Sequence, residues 1–132
     1  MSVGILLVTH EGIGAQLIKV AENIIEQPVQ QLRQVSVPAD LEPEVLGKYA
    51  DLVRAAMREL DRGQGVLVLT DLYGATPDNL ARHFARELPA QVVSGVNLPM
   101  LLRVLNYAHQ PLAQLCETAS AGGVNGVQRD RQ

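Results

Sequence analysis

Two apolar runs in this sequence each end in a polar pair whose residue types could do chemistry. The first run, residues 3–8, leads into Thr9-His10, and a second run leads into Thr70-Asp71. An uninterrupted apolar run bounded by turn residues predicts a strand that is buried on both faces, as in a parallel sheet. The carboxyl ends of such strands form the edge where ligands bind in open α/β folds. His10 and Asp71 are therefore the candidate reactive residues.

These polar pairs predict a nucleophilic histidine if their two strands are neighbours. A carboxylate that accepts a hydrogen bond from one imidazole nitrogen fixes the tautomer and leaves a lone pair on the other nitrogen. A helix start follows Asp71, with Thr76 as the expected N-cap and Pro77 in the first turn. Free N–H groups at such a start favour an anion such as a phosphoryl group. The combination predicts phosphoryl capture on His10, although a solvated histidine and a capping aspartate would be the simpler interpretation.

The elements that must position these residues alternate between strands and helices. Besides the two buried strands, we predict a strand over Leu32 to Val37 and a fourth strand at 91–95. Polar and apolar residues alternate in the strand at 32–37, which is typical of a sheet edge. Strands that alternate with helices predict a single α/β domain over residues 1–132 with a parallel sheet.

Turn-forming residues mark the expected helix ends. The first helix is amphipathic, and its apolar residues recur at helical spacing, namely Leu17, Ile18, Ala21, Ile24 and Ile25. The second helix is expected to start within Asp40 to Pro43, with an acidic cap and an early proline. The successive helices are expected to end at Pro28, Gly63, Pro89, before Pro111, and at Gly122-Gly123. The tail at 124–129 fits either a short edge strand or a disordered end.

Composition and charge exclude several classes of function. Apolar residues make up 47% of the 132 residues and charged residues 19%, as in a globular protein. A net charge of −3 and only 3% aromatic residues argue against a nucleic-acid-binding protein. Cys116 is the sole cysteine, so no intramolecular disulfide can form. Because no apolar run approaches the ~20 residues of a membrane span and the first residues lack a basic signal-peptide region, we expect a cytoplasmic protein without membrane insertion.

Three segments of the sequence resemble one protein family. They are GILLVTH at 4–10, GVLVLTDLYGATPDN at 65–79 and SGVNLPML at 94–101. In this order they resemble the enzyme IIA component of the mannose-type sugar phosphotransferase system. The resemblance extends over nearly the whole chain. The resemblance implies a parallel sheet in the order 2-1-3-4 with helices on both faces. It also implies a homodimer that exchanges a C-terminal antiparallel strand, for which the tail from about residue 122 is the candidate.

The resemblance implies a function and a set of site residues. His10 would accept a phosphoryl group from the phosphocarrier protein HPr and pass it to an enzyme IIB histidine, so the chain would be a phosphotransferase in sugar uptake. Asp71 matches the carboxylate that orients the histidine, and the turn at Gly74, Ala75 and Thr76 matches the phosphoryl-binding segment. No metal or organic cofactor is needed, because backbone dipoles meet the phosphoryl charge. Since no IIB domain follows within these residues, IIB is expected as a separate partner.

Two positions depart from the family pattern, and four are assigned to partner binding. Tyr73 stands where the family often has tryptophan or phenylalanine, and Ala75 stands where it often has a second glycine. Because alanine adopts a positive φ less cheaply than glycine, we expect a slightly different turn. The partner-binding assignments are Thr9, Tyr73, Asn97 and Met100. For Asn97 and Met100 the roles of helix cap and packing residue fit equally well, because loops at this sheet edge both bind and cap.

Several other sequence features bear on alternative functions. The segment Gly12-Ile13-Gly14 lacks the third glycine of a dinucleotide-binding turn. A receiver domain would need clustered acids at the end of the first strand and a lysine late in the sheet, whereas this strand ends in Thr9-His10 and no lysine follows Lys48. His83 within a helix and His109 near a helix end are expected at the surface, and Cys116 on the apolar side of a helix is expected in the core. The spacing of the histidines and the cysteine does not suit a metal site. Two alternatives stay open, namely a regulatory protein whose His10 phosphorylation is read by other proteins and a small-ligand binder of flavodoxin-like shape.

Overall fold

A computed structural model describes residues 2–26 and 29–130, in which four strands form one sheet between two layers of helices. The strands are β1 (Gly4–His10), β2 (Leu32–Val37), β3 (Val66–Thr70) and β4 (Ala90–Ser94). The helices are α1 (Ile13–Ile25), α2 (Pro43–Leu60), α3 (Thr76–Ala85), α4 (Leu98–Asn106) and α5 (Leu112–Asn125). All neighbouring strands are parallel and lie in the order β2-β1-β3-β4, which confirms the expected α/β topology.

The two apolar strands occupy the centre of the sheet. β1 pairs with β2 on one side and with β3 on the other, and every residue of β3 is buried. β2 lies at an edge, as its alternating pattern predicts, and Arg33 and Gln34 are exposed there. A central strand has no solvent-facing side, so a continuous apolar run is the pattern that suits it. The strand ends that carry His10 and Asp71 are therefore adjacent.

Side chains of the central strands alternate between two hydrophobic layers. Leu6, Val8 and Val68 face one layer, where they pack with residues of α2 and α3. Ile5 and Leu7 face the other layer, which α1, α4 and α5 cover. Successive side chains of a strand point to opposite faces, so one apolar strand supplies both layers. The helices on both faces of the sheet agree with the expected architecture.

Gly4 allows β1 to pass close to the end of α2. A Cβ atom at this position would lie 2.5 Å from the carbonyl oxygen of Leu60, which belongs to the rigid backbone. We expect Gly4→Ala to lower the free energy of unfolding by about 1–3 kcal/mol in urea titrations, as overpacking typically does. Gly47→Ala is the matched control, because no heavy atom lies within 4 Å of its added Cβ. Alanine should raise helix stability there by up to about 1 kcal/mol, and equal losses in both variants would contradict this account.

Two helix ends differ from those that the turn residues predict. α2 ends at Leu60 with Asp61 as its C-cap, so Gly63 is not the cap. The Asp61 carboxylate accepts hydrogen bonds from the N–H groups of Gly63 and Gly65, which shapes the turn into β3 instead. α3 likewise stops before the predicted proline, at Ala85. At the end of α2, these hydrogen bonds from the backbone to the Asp61 side chain compete with continuation of the helix.

The glycine pair near the end of the chain lies inside a helix rather than at its end. A Cβ on Gly122 would lie 2.9 Å from the Cβ of Arg103, and a Cβ on Gly123 would lie 2.7 Å from the Cε of Met100. Both contacts are with α4, so these glycines allow α5 and α4 to pack closely. The prediction that Gly122-Gly123 ends the helix is wrong, because α5 continues to Asn125.

Three further expectations concern α1, the start of α2 and the tail after α5. The proline expected to end α1, Pro28, lies outside the described residues, and Ile24 is 54% exposed rather than part of the apolar face. α2 starts at Pro43 with Glu42 as its N-cap, as the expected acidic cap and early proline predict. Val124 starts the predicted tail strand but is helical, and residues 127–130 have no regular secondary structure in this single chain. Exchange of a C-terminal strand in a dimer stays a prediction.

Candidate active site

The pairing of β1 with β3 brings the predicted histidine and carboxylate together. Val8 pairs with Thr70 in the sheet, and His10 and Asp71 follow at the same edge. The Nδ1 atom of His10 lies 2.8 Å from Oδ2 of Asp71, and the same oxygen accepts a hydrogen bond from the His10 backbone N–H at 3.1 Å. The carboxylate therefore holds both the ring and the backbone of the histidine.

The hydrogen bond to Asp71 determines which histidine nitrogen can react. An ionised carboxylate only accepts hydrogen bonds, so Nδ1 of His10 carries the proton in this pair. In the neutral imidazole Nε2 then holds the lone pair. The His10 side chain is 33% exposed, whereas that of Asp71 is 10% exposed. The largely buried Asp71 carboxylate thus orients the imidazole ring of His10, and part of the ring stays accessible to solvent.

Thr9 fixes the end of β1 to the first turn of α1. Its hydroxyl oxygen accepts a hydrogen bond from the Gly14 N–H at 2.8 Å and donates to the His10 carbonyl oxygen at 2.9 Å. A Cβ on Gly14 would lie 3.0 Å from that hydroxyl oxygen, so glycine suits this close approach. Thr9 has no exposed surface, and its contacts make it a support for His10.

The turn after Asp71 presents two large side chains to solvent. Leu72 is 59% exposed and Tyr73 is 74% exposed. Gly74 takes the left-handed conformation with φ +85°, whereas Ala75 has φ −80°. The turn therefore needs only one glycine, and the alanine that departs from the family pattern sits in an ordinary extended conformation. The expected backbone penalty at Ala75 does not arise.

The start of α3 supplies the second part of the candidate site. Thr76 is the first helical residue and Ala75 is the N-cap, without a side-chain capping hydrogen bond, so the prediction of Thr76 as N-cap is wrong by one residue. The Thr76 side chain is exposed, and Pro77 has no N–H group to offer. The first N–H groups of an α-helix have no acceptor inside the helix and carry partial positive charge. An anion is favoured at this position.

A buried carboxylate that the sequence analysis did not single out holds this turn. Asp78 has no exposed surface and accepts hydrogen bonds on both oxygens. The hydroxyl groups of Thr70 and Ser94 donate to Oδ1 at 2.5 and 2.6 Å. The Gly74 N–H and the Arg82 Nε–H donate to Oδ2 at 3.1 and 2.8 Å. Asp78 thereby joins the ends of β3 and β4 to the turn and to α3.

The hydrogen bonds to Asp78 stabilise its charged form. Burial by itself raises the pKa of this carboxyl, but the hydrogen bonds from Arg82, Ser94, Thr70 and the Gly74 N–H outweigh burial. They lower the pKa from 3.8 to about 2. Buried carboxylates are stable only when donors of this kind surround them.

The lowered pKa of Asp78 predicts a specific acid dependence of stability. Because the folded-state pKa lies below the unfolded value, the contribution of Asp78 is complete above about pH 4 and is lost as the pH falls through about 2. The shift corresponds to about 2 kcal/mol. We expect urea unfolding of Asp78→Asn to show a shallower loss of stability between these pH values than the wild type. Asp130→Asn, in the exposed tail, should keep the wild-type profile; a wild-type profile in Asp78→Asn would refute the assignment.

The remaining predicted site residues separate into structural and exposed positions. Asn97 caps α4 by accepting the Met100 N–H at 2.9 Å, and its Nδ2 donates to the Gly123 carbonyl oxygen at 3.1 Å. Met100 is 4% exposed and packs in the core. These contacts favour the structural interpretation of Asn97 and Met100, and buried Thr9 has no side-chain surface to offer. Among the four proposed partner-binding residues, Tyr73 is the one with a large exposed surface.

The other histidines and the cysteine lie apart from this site. His83 and His109 are both exposed, as expected. Cys116 is partly buried and packs against the core layer of α1, α4 and α5. Its Sγ lies 3.1 Å from Oε1 of Gln91, and burial raises the pKa of the thiol. None of the helices over 2–26 and 29–130 has the length and hydropathy needed to cross a membrane.

Comparisons with known proteins support the same interpretation of the fold. The model of the EIIA-man family, described as "PTS system fructose IIA component", matches residues 4–119. The mannose-specific EIIAB component of Escherichia coli K12 is 31% identical over 106 residues, which are 80% of this chain and 32% of that protein. The fructose-specific EIIA component of Bacillus subtilis is 40% identical over 52 residues, 39% of this chain and 36% of that protein.

A solved structure confirms that the architecture is shared. The mannose/sorbose-specific IIA subunit from Enterococcus faecalis superposes with a TM-score of 0.85 at 23% identity, covering 100% of this chain and 97% of that one. The chain matches about a third, 32%, of the length of the E. coli relative. Because the family model covers most of the sequence, the chain belongs to the EIIA-man family of phosphotransferase-system IIA components.

Proposed function

We propose that this chain is a phosphohistidine carrier that takes a phosphoryl group from HPr onto His10 and passes it to an enzyme IIB component. The observation that carries the proposal is the 2.8 Å hydrogen bond between His10 Nδ1 and Asp71 Oδ2. It joins a partly exposed ring to an orienting carboxylate at the carboxyl edge of two neighbouring strands. Ligands bind at this edge in open parallel sheets.

The transfer step follows from the assigned protonation state. The Nε2 lone pair of His10 attacks the phosphorus atom of the donor, the new N–P bond forms, and the bond to the donor breaks with its electron pair leaving on the donor. The Nδ1 proton stays in the hydrogen bond to Asp71, which becomes stronger as the ring gains positive charge. In the second half-reaction, the IIB acceptor attacks the same phosphorus and the electron pair returns to Nε2.

The start of α3 supplies the phosphoryl-binding groups in this proposal. The phosphoryl oxygens would be met by the backbone N–H and the exposed hydroxyl of Thr76 at the start of α3. The N–H groups of Gly74 and Ala75, which were expected to take part, instead donate to Asp78 Oδ2 at 3.1 Å and to the Leu72 carbonyl oxygen at 3.3 Å. Oriented N–H groups stabilise the charge that develops on a transferring phosphoryl group without the reorganisation that water needs. The proposed mechanism needs no metal ion or organic cofactor.

The proposed partners follow from the family and from the names of its members. The E. coli relative is named an EIIAB component, and this name combines IIA and IIB. A IIB component as the acceptor for this chain is consistent with that name. Exposed Leu72 and Tyr73, beside the proposed phosphoryl site, offer apolar surface for transient docking of the donor and the acceptor. The proposal places this activity in the cytoplasm.

The test is phosphorylation of the purified chain by phosphoenolpyruvate, enzyme I and HPr. We expect a single phosphoryl group by intact-mass measurement, mapped to His10 and released by acid but not by base. Addition of a IIB component should then remove it. A chain that gains no mass would refute the carrier function and favour the ligand-binding alternative. A phosphorylated chain that transfers to none of the IIB components tested would refute the transfer step and favour the regulatory alternative.

A further inference from the structure

We infer that Asp78 is the positioning residue of the phosphoryl-binding turn, through the hydrogen bonds that hold the peptide of Gly74 between Asp71 and α3. This inference rests on the proposed carrier function. Asp78 touches neither His10 nor, in the proposed mechanism, the phosphoryl group. It acts through the turn at Gly74, which places Thr76 at the start of α3.

Side chains of α3 fix the backbone of the turn at Gly74. Gly74 has a left-handed backbone, and its N–H donates to Asp78 Oδ2 at 3.1 Å. Its carbonyl oxygen accepts a hydrogen bond from Asn79 Nδ2 at 3.1 Å. Both polar groups of this residue are thus held by side chains from the first turn of α3. The turn otherwise carries two exposed side chains, Leu72 and Tyr73, which provide little packing.

Asp78 also links the turn to the carboxyl edge of the sheet. Its Oδ1 accepts hydrogen bonds from Thr70, the residue directly before Asp71, and from Ser94 at the end of β4. The position of the turn is therefore set relative to the strand that carries the orienting carboxylate. A rigid link of this kind matters because misplacement of about 1 Å can slow an enzymatic step by orders of magnitude.

Arg82 completes this hydrogen-bond network on α3. Its Nε donates to Asp78 at 2.8 Å, and its terminal nitrogen donates to Ser94 Oγ at 2.7 Å. The guanidinium carbon also lies 5.0 Å from the ring centroid of Tyr73, within cation–π distance. One buried carboxylate thus organises the backbone of the turn, a strand end and the exposed aromatic side chain.

The decisive experiment measures single-turnover transfer from phosphorylated HPr to the wild type and to Asp78→Asn. The amide side chain keeps the size of aspartate but loses the charge and one acceptor oxygen. We expect the maximum rate, extrapolated to saturating HPr, to fall about tenfold or more. We also expect amide hydrogen exchange to accelerate at Gly74 while that of Leu7, in the centre of β1, keeps its wild-type rate.

A second variant separates positioning from general loss of stability. Val104→Ala removes buried side-chain volume from the core layer on the opposite face of the sheet from α3. We expect it to lower stability and to leave both the maximum transfer rate and the Gly74 exchange rate unchanged. Equal losses of transfer rate in Val104→Ala and Asp78→Asn would overturn the positioning role, because destabilisation alone would then explain the effect.

The outcomes distinguish the inference from the proposed function on which it rests. If the wild type takes up no phosphoryl group, the carrier function fails and the inference fails with it. If the wild type is phosphorylated and Asp78→Asn reaches the same maximum rate, the function stands and the inference is overturned. Should Asp78→Asn fail to fold, Ser94→Ala takes its place, since it removes a single donor from Oδ1. A wild-type rate in that variant would overturn the inference.

Discussion

Replacement of His10 by alanine is expected to abolish phosphoryl uptake and to leave the fold intact. In the proposed mechanism Nε2 of this residue forms the covalent bond that joins the protein to phosphorus, so its removal eliminates the acceptor and does not merely slow the reaction. The side chain is 33% exposed and lies at a strand end, outside both core layers. Intact-mass measurement after incubation with phosphoenolpyruvate, enzyme I and HPr should show no added phosphoryl group, and circular dichroism should match the wild type.

The chain provides its own matched controls for this experiment. His83 and His109 are exposed and lie on or after helices, away from the carboxyl edge of the sheet that carries His10. His83→Ala and His109→Ala should each be phosphorylated to the wild-type extent. Uptake that survives in His10→Ala, or that disappears in either control, would assign the acceptor to another residue and invalidate the proposed mechanism.

Replacement of Asp71 by asparagine is expected to slow transfer roughly 100-fold without eliminating it. The amide can still approach His10 Nδ1, but it no longer enforces the tautomer in which Nε2 holds the lone pair. It also removes the negative charge that would stabilise the imidazole as it gains positive charge on phosphorylation. Rapid-quench measurement of transfer from phosphorylated HPr should therefore show a slow rate and nearly complete labelling at long times.

The control for Asp71→Asn is a variant with the same change of charge elsewhere. Asp51 is exposed on α2, and Asp51→Asn should transfer at the wild-type rate. A wild-type rate in Asp71→Asn would remove this carboxylate from the mechanism. A complete absence of labelling would show that Asp71 does more than orient the ring.

The strands were predictable because buried parallel strands leave a strong local signal, whereas their order came from the family resemblance. The apolar runs that end at His10 and Thr70 lie in the two central strands, and the alternating run at 32–37 lies at an edge. Helix ends were harder to predict, since tertiary contacts decide them. The packing of α5 against α4 uses Gly122 and Gly123 as helical residues. A glycine pair that predicts a helix end from the sequence alone can thus lie inside the helix and allow close packing against a neighbouring helix.

The candidate site was predictable where its residues adjoin strong strand signals, and less so where they do not. The His10–Asp71 contact follows from two strand ends that the sequence marks clearly. Asp78 was missed because its partners come from β3, β4 and the turn, and no local pattern reveals that they converge. The polar residues that end β3 and β4, Thr70 and Ser94, were the available signal. Buried hydroxyl groups at strand ends require a nearby acceptor.

The placement of His10 and Asp71 on neighbouring strands has a consequence for biosynthesis. The two residues are 61 positions apart, and α1, β2 and α2 must be made before β3 can pair with β1. A nascent chain therefore exposes the histidine long before the carboxylate exists. Under the proposed mechanism, an unfinished chain without this carboxylate withdraws phosphoryl groups from the cellular donor pool far more slowly than the finished protein. The full transfer rate would be reached only when the ribosome has delivered enough chain to complete the centre of the sheet.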